Sequence, residues 1–168
     1  MANYMGVDIG NATRNGIAIL NDKEQLIYST NIPYNKKITK GQHRRNVAKQ
    51  VRELVQEYDV KALIIERVKM HRGGNLSKLT SIISLSKITA AILDNCFDLC
   101  SVYDCETISW KANVLGHRDA TKEDAVTYVL CTYKKEVPHD EADAVCECLY
   151  LIRSINKTDR IIKDVTGM

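Results

Sequence analysis

The chain has 168 residues, 45% of them hydrophobic and 27% charged, with a formal net charge of +3 at pH 7. That length and balance suit one globular domain over residues 1–168 and exclude disordered and collagen-like chains; the weak positive charge permits a polyanionic partner without demanding one. No apolar run approaches the roughly 18 residues of a membrane span, and Met1-Ala2-Asn3-Tyr4 leads straight into a strand pattern rather than a secretory signal, so a cytoplasmic protein with no membrane partner and no small-molecule cofactor is expected.

Residues 3–10 form a short apolar run broken by Asp8, residues 11–16 carry turn chemistry, and Ile17 to Leu20 is apolar again, which predicts a β-hairpin. Gln25 to Ile32 alternates well enough to be a third antiparallel strand. Lys36, Lys37, Lys40, Arg44, Arg45, Lys49 and Arg52 then run into a helix ending near residue 58, with Val47, Val51, Leu54 and Val55 at helical spacing. Its basic face is either plain solvated surface or a phosphate contact. Lys61 to Val68 is the β-branched run of a buried strand that carries Glu66. From residue 75 to 95 the apolar positions Leu76, Leu79, Ile82, Ile83, Leu85, Ile88, Ala91 and Ile92 wrap much of the way round a helix. Such a helix is central or an oligomer interface.

Ser101 to Asp104 reads as a fifth strand, followed by a short helix near 107–114, a loop containing Gly116, a helix over about 121–133 and a closing helix from 139. Ala142, Val145, Cys146, Leu149 and Ile152 give that last helix a core face. The order predicts an α/β fold: a mixed five-stranded sheet, three antiparallel N-terminal strands plus two parallel, with helices on both faces. Trp110 is expected in the core. The six cysteines (96, 100, 105, 131, 146 and 148) lack C-x-x-C pairs and read as small core residues; Cys146 and Cys148, two apart on a helix, point to different faces.

Four acids stand out by position. Asp8 and Glu66 sit in apolar strand runs, where a carboxylate is costly to bury without positive compensation. Asp140 and Asp143 lie about one turn apart on one face of the last helix. Acids there also offset the helix dipole, with Pro138 just ahead of the start, so capping is the alternative reading. If the first and fourth strands are neighbours and the last helix crosses their ends, the four acids converge. Hard divalent cations are the natural compensation, Mg²⁺ with Mn²⁺ as substitute. Two ions in such a cage, roughly 3.5–4 Å apart, support phosphoryl transfer, which makes a nuclease the leading reading. His139 is either a ligand or general base of this cluster, or a solvent-facing residue ahead of the helix.

Asp8-Ile9-Gly10 in the first strand, Ile65-Glu66-Arg67-Val68 at the fourth and Asp140-x-x-Asp143 on the last helix resemble the RuvC Holliday junction resolvases of the ribonuclease H-like superfamily. The likeness extends through Ser109-Trp110-Lys111 and the Gly116 loop to Lys122, in order and over nearly the whole chain. It implies a homodimer, formed through the helix around 75–95, that binds four-way junctions and other branched DNA. Two strands of like polarity would be nicked symmetrically with two Mg²⁺ ions per site, leaving 5′-phosphate and 3′-hydroxyl ends. By position Asp8, Glu66, Asp140 and Asp143 would be the catalytic metal ligands, and Lys111 and Lys122 would contact DNA near the scissile phosphate.

Departures from the family pattern concern the DNA contacts. Lys69 stands where the family usually has an aromatic, in the segment Lys69-Met70-His71-Arg72, and Arg118 replaces the second glycine of the family loop. Lys69, Arg72 and Arg118 are therefore expected to touch DNA electrostatically. With the short cysteine-rich chain these changes look like a bacteriophage or viral relative. Competing readings are a RuvC-related RNA-processing nuclease, which would be monomeric on single-stranded RNA, and a non-cleaving branched-DNA-binding protein, which would lack an acid. An actin-like phosphotransferase shares the first strand but needs a second lobe.

Overall fold

The computed structural model describes residues 1–10, 14–68 and 76–166, with side chains described except at 76–77 and 159–166. Lys69, His71 and Arg72 lie outside the described residues. Strands β1 (Asn3–Ile9), β2 (Arg14–Asn21), β3 (Leu26–Pro33), β4 (Val60–Glu66) and β5 (Ser101–Cys105) form one sheet in the order β3-β2-β1-β4-β5. β1 is the central strand, antiparallel to β2 with Asp8 opposite Gly16, and parallel to β4 with Val7 opposite Ile65. β2 pairs antiparallel with β3, and β4 parallel with β5. The expected three-plus-two sheet is what forms.

Strand alternation sorts the side chains into two cores. Met5, Val7, Ile17, Ile19, Leu63 and Ile65 meet α1 (Lys40–Glu57) and α2 (Leu76–Cys96) through Val47, Val51, Val55, Ile88 and Ile92. On the other face Ala18, Leu20, Ala62, Ile64 and Cys105 meet α5 (His139–Thr166), with Trp110 and the α4 (Lys122–Tyr133) residues Ala125 and Val129 closing the layer. Both faces of β1 and β4 are covered, which is why their sequences read as nearly unbroken apolar runs. Thr39 and Thr121 each close a capping box, with Gln42 and Asp124, which fixes the starts of α1 and α4, the latter within a residue of the expected 121.

Three local expectations change. β2 begins at Arg14, so Asn15 and Gly16 are strand residues rather than turn; Asn15 is buried and its Oδ1 accepts from the Gly10 N–H at 3.2 Å, holding the hairpin neck. The helix expected near 107–114 is a single turn, α3 (Thr107–Trp110), that widens into a π-helical turn at Lys111–Leu115 before Gly116. Cys131 is exposed on α4, whereas Cys96, Cys105, Cys146 and Cys148 are core residues as expected.

Two glycines set the distance between sheet and helix. Gly6 and Asp8 share a face of β1, and Gly16 lies opposite Asp8. A Cβ on Gly16 would fall 1.9 Å from the Asp140 carbonyl oxygen, and one on Gly6 would fall 2.0 Å from that of Ala144 and 2.8 Å from the Cys148 nitrogen. The first turns of α5 thus rest backbone-to-backbone on β1 and β2, beside Asp8.

Candidate active site

Asp8 and Glu66 occupy the last positions but one and last of two adjacent parallel strands, one step beyond the Val7–Ile65 pair, and parity turns both toward α5. α5 starts at His139, where the Ala142 N–H donates to the Pro138 carbonyl at 3.0 Å. From there Asp140 and Asp143 come down on the same strand ends. The four acids expected from the sequence are thereby brought into one electrostatic neighbourhood. Asp8, half-buried as a residue but with its carboxyl enclosed, is pushed well above the ordinary aspartate range by burial, then by Asp143, Glu66 and Asp140; Lys122 opposes this. Asp143 is pushed up to about 6 by burial and by Glu66 and Asp140, against Lys122 and Lys111.

Glu66 is the most firmly held. The Thr107 hydroxyl donates to its Oε1 at 2.6 Å and the Trp110 indole N–H to its Oε2 at 3.0 Å, so each oxygen has a donor and the carboxylate is oriented. Asp143 has its Oδ1 buried without a hydrogen-bond partner among the described residues. A cleft of about 320 Å³ opens here between Asp8, Glu66, Arg67, Ile82, Thr107 and Ile108. Arg67 at its rim is engaged by Asp104 through two hydrogen bonds, at 2.7 and 3.1 Å.

As the side chains stand, no three His, Cys, Asp or Glu among the described residues converge tightly enough to hold one ion. The donor set nevertheless suits a hard divalent cation: carboxylate oxygens only, mutually repelling, one of them buried and unpartnered. A cation between them would offset the repulsion that raises Asp8 and Asp143.

Of the expected DNA contacts, Lys111 and Lys122 join the acids. Lys111 opens the π-helical turn, with its Nζ 5.7 Å from the Trp110 ring centroid, and Lys122 is the first residue of α4. Arg118 is exposed on the loop after Gly116 and is not among the groups that bear on Asp8 or Asp143. His139 is exposed and takes part in no hydrogen bond or ion pair among the described residues, which favours the solvent-facing reading. Trp110 is in the core, 1% exposed, yet its N–H also serves Glu66.

Sequence reasoning missed Glu147, fully buried one turn below Asp143 and raised well above the glutamate range by burial, Asp8, Glu66 and Asp143. The signal was present: an acid interrupting Val145-Cys146-Glu147-Cys148-Leu149, the same feature that marks Asp8. Glu141, by contrast, is turned away to Ser29 and to Lys135, at 3.0 Å.

A central strand paired antiparallel on one side and parallel on the other, in a five-stranded sheet with helices on both faces, defines the RuvC-like form of the ribonuclease H fold. Among solved structures the chain is similar to Thermus thermophilus RuvC, with a TM-score of 0.75 and 18% identity over 93% of this chain and 97% of that one. It is also similar to T. thermophilus RuvC in complex with Holliday junction substrate (0.72, 17%, 89% and 92%). The yeast mitochondrial Holliday junction resolvase, Ydc2, is a more distant likeness (0.58, 14%, 90% and 78%). No family model and no curated protein matches the sequence. Among the described residues no helix is long and apolar enough to cross a membrane.

Proposed function

We propose that this chain is a structure-selective DNA endonuclease that resolves Holliday junctions and other branched DNA by metal-dependent symmetric nicking, leaving 5′-phosphate and 3′-hydroxyl ends. The observation that carries the reading is the gathering of Asp8, Glu66, Asp140 and Asp143, with Lys111 and Lys122, at the C-terminal ends of β1 and β4. Likeness in fold to a RuvC determined with Holliday junction substrate adds support.

In this reading the four acids hold two Mg²⁺ or Mn²⁺ ions, whose chemistry when bound is to generate a hydroxide nucleophile and stabilise the leaving 3′ oxygen. The chain's own contributions are positional and electrostatic. Thr107 and Trp110 fix the plane of the Glu66 carboxylate, and the Gly6 and Gly16 contacts fix α5 against Asp8. Lys111 and Lys122 attract phosphate and favour the ionised form of Asp143. Lys69, Arg72 and Arg118 add charge along the DNA.

Two copies pair through α2, where Leu79, Ile83 and Leu93 are exposed while Ile88 and Ile92 are buried. A groove of about 620 Å³ between α2 and β5, lined by Thr89, Leu93, Val102 and Tyr103, continues that apolar face. Residues 1–168 act as one nuclease domain, in a bacterial cytoplasm or a phage-infected cell, and the departures at Lys69 and Arg118 favour a phage or viral source.

The test is cleavage of labelled four-way, three-way, duplex and single-stranded DNA and of single-stranded RNA, with and without Mg²⁺, beside Asp8→Asn. Metal-dependent nicking of branched DNA that Asp8→Asn abolishes, with binding retained, is expected. Equal cleavage by that variant removes the metal-cage reading; binding without cleavage by the wild type marks a binding module, and preference for RNA an RNA-processing nuclease.

A further inference from the structure

Glu147 has no role in the four-acid site. It lies on α5 one turn beyond Asp143 and two beyond Asp140, so three carboxylates descend one side of the helix toward the sheet. Its side chain is 0% exposed and neither carboxylate oxygen has a hydrogen-bond partner among the described residues. Ala144, Val145, Cys146, Cys148 and Leu149 around it in sequence are buried and apolar. The charges that reach it belong to Asp8, Glu66 and Asp143, all acids. Cys105 at the end of β5 is affected by both Glu147 and Glu66, which places Glu147 beneath the strand ends that carry the site. The α5 backbone rests on Gly6 at Ala144 and Cys148, so the turn that carries Glu147 lies directly against β1.

A buried acid ordinarily serves the fold in one of two ways, and Glu147 serves in neither. As an ion it would need a cation, and no lysine or arginine among the described residues bears on it. As a neutral acid it would donate its O–H, and no acceptor among the described residues takes it. Burying an unpartnered polar group in apolar surroundings is costly, whereas an apolar side chain of the same length would fit them without that cost.

We propose that Glu147 is a fifth carboxylate of the same site, holding a divalent cation from beneath, directly or through one water, opposite the face that admits DNA. This rests on the metal-dependent reading of Asp8, Glu66, Asp140 and Asp143. It makes α5 the source of three of the five acids, at successive turns.

The experiment titrates wild type, Glu147→Gln and Glu147→Met with Mn²⁺ alone, without DNA, reading free Mn²⁺ by electron paramagnetic resonance and thermal unfolding in parallel. Methionine is unbranched and fills irregular apolar space, so E147M keeps the test open should E147Q fail to fold. Both variants are expected to bind Mn²⁺ at least about tenfold more weakly than wild type. Without metal E147M should melt higher than wild type, and Mn²⁺ should raise its melting temperature less. Wild-type Mn²⁺ affinity in E147M overturns the proposal while leaving the four-acid site standing. No Mn²⁺ binding by the wild type itself would instead overturn the metal-dependent reading, and this inference with it.

Discussion

Replacing Gly16 by alanine tests whether the backbone contact between β2 and α5 sets the geometry of the site. The added Cβ would lie 1.9 Å from the Asp140 carbonyl oxygen and 2.8 Å from the Glu141 nitrogen, and ordinary contact begins at 3.4 Å, so the first turn of α5 must retreat by about 1.5 Å. Asp140 and Asp143 ride on that turn, while Asp8 stays on β1. Overpacking of this kind costs about 1–3 kcal/mol, and for a chain this long each kcal/mol lowers the melting temperature by about 2–4 °C. Misplacing reacting groups by about 1 Å costs on the order of 100-fold in rate. Gly16→Ala should therefore melt a few degrees lower, yet cleave a four-way junction about 100-fold more slowly in single-turnover assays with saturating Mg²⁺. Gly41→Ala is the control: near the start of α1 its Cβ meets nothing closer than the Arg44 side chain at 3.8 Å, and it should gain about 0.5–1 kcal/mol with cleavage unchanged. A Gly16→Ala protein with wild-type cleavage would refute the argument, whatever its melting temperature.

Thr107→Val removes one of the two donors on Glu66 and should weaken Mn²⁺ binding about tenfold with little loss of fold; unchanged affinity would show that the hydroxyl does not orient the carboxylate. Stability without metal should fall as pH rises from about 4 to about 6. Asp143 titrates near 3.8 when unfolded and near 6 when folded, so the folded chain binds the extra proton in that window; below it the contribution is fully present, above it lost. Asp8, raised the same way, extends the decline upward, and Mg²⁺ should flatten it. Melting curves that rise across pH 4–6 without metal would contradict this. Ile83→Glu, which puts a charge on the exposed face of α2, should convert a dimer to a monomer in sedimentation while leaving the melting temperature of the monomer unit within a few degrees; a dimer that survives would place the interface elsewhere.

The sheet was legible because alternation and β-branched runs are local, and the acids Asp8 and Glu66 were legible because each breaks such a run. The core face of α5 was read from its period, and every residue assigned to it is buried. Period marks only one face, however, and α5 is enclosed on several sides between the sheet and α4, so Ala144, Glu147 and Cys148 are buried too. That is why the period did not mark Glu147. The donors on Glu66 were hidden for a different reason: Thr107 and Trp110 reach it because the chain curls back after β5 into one α-turn and a widened one, a path that no local pattern specifies. Gly16 looked like turn chemistry because a glycine beside Asn15 is common in hairpin turns. Its actual role, admitting a helix from the far end of the chain, depends on a partner more than a hundred residues away. Arg118 sits on a loop whose direction is likewise set by packing.

If the proposed function holds, the docking of α5 onto Gly6 and Gly16 also governs when the protein could act. Synthesis delivers Asp8 first and Asp143 later by 135 residues, an interval of roughly 7–27 s at about 5–20 residues per second. Throughout that interval Ala18, Leu20, Ala62 and Ile64 lack their cover, and the acids on the strands have no counterpart from α5. On the proposed function, a nascent chain or a fragment ending before residue 139 carries two of the four acids and would not cut. Placing half of the acid set on α5 would make the docking of that helix a condition for the proposed nuclease activity.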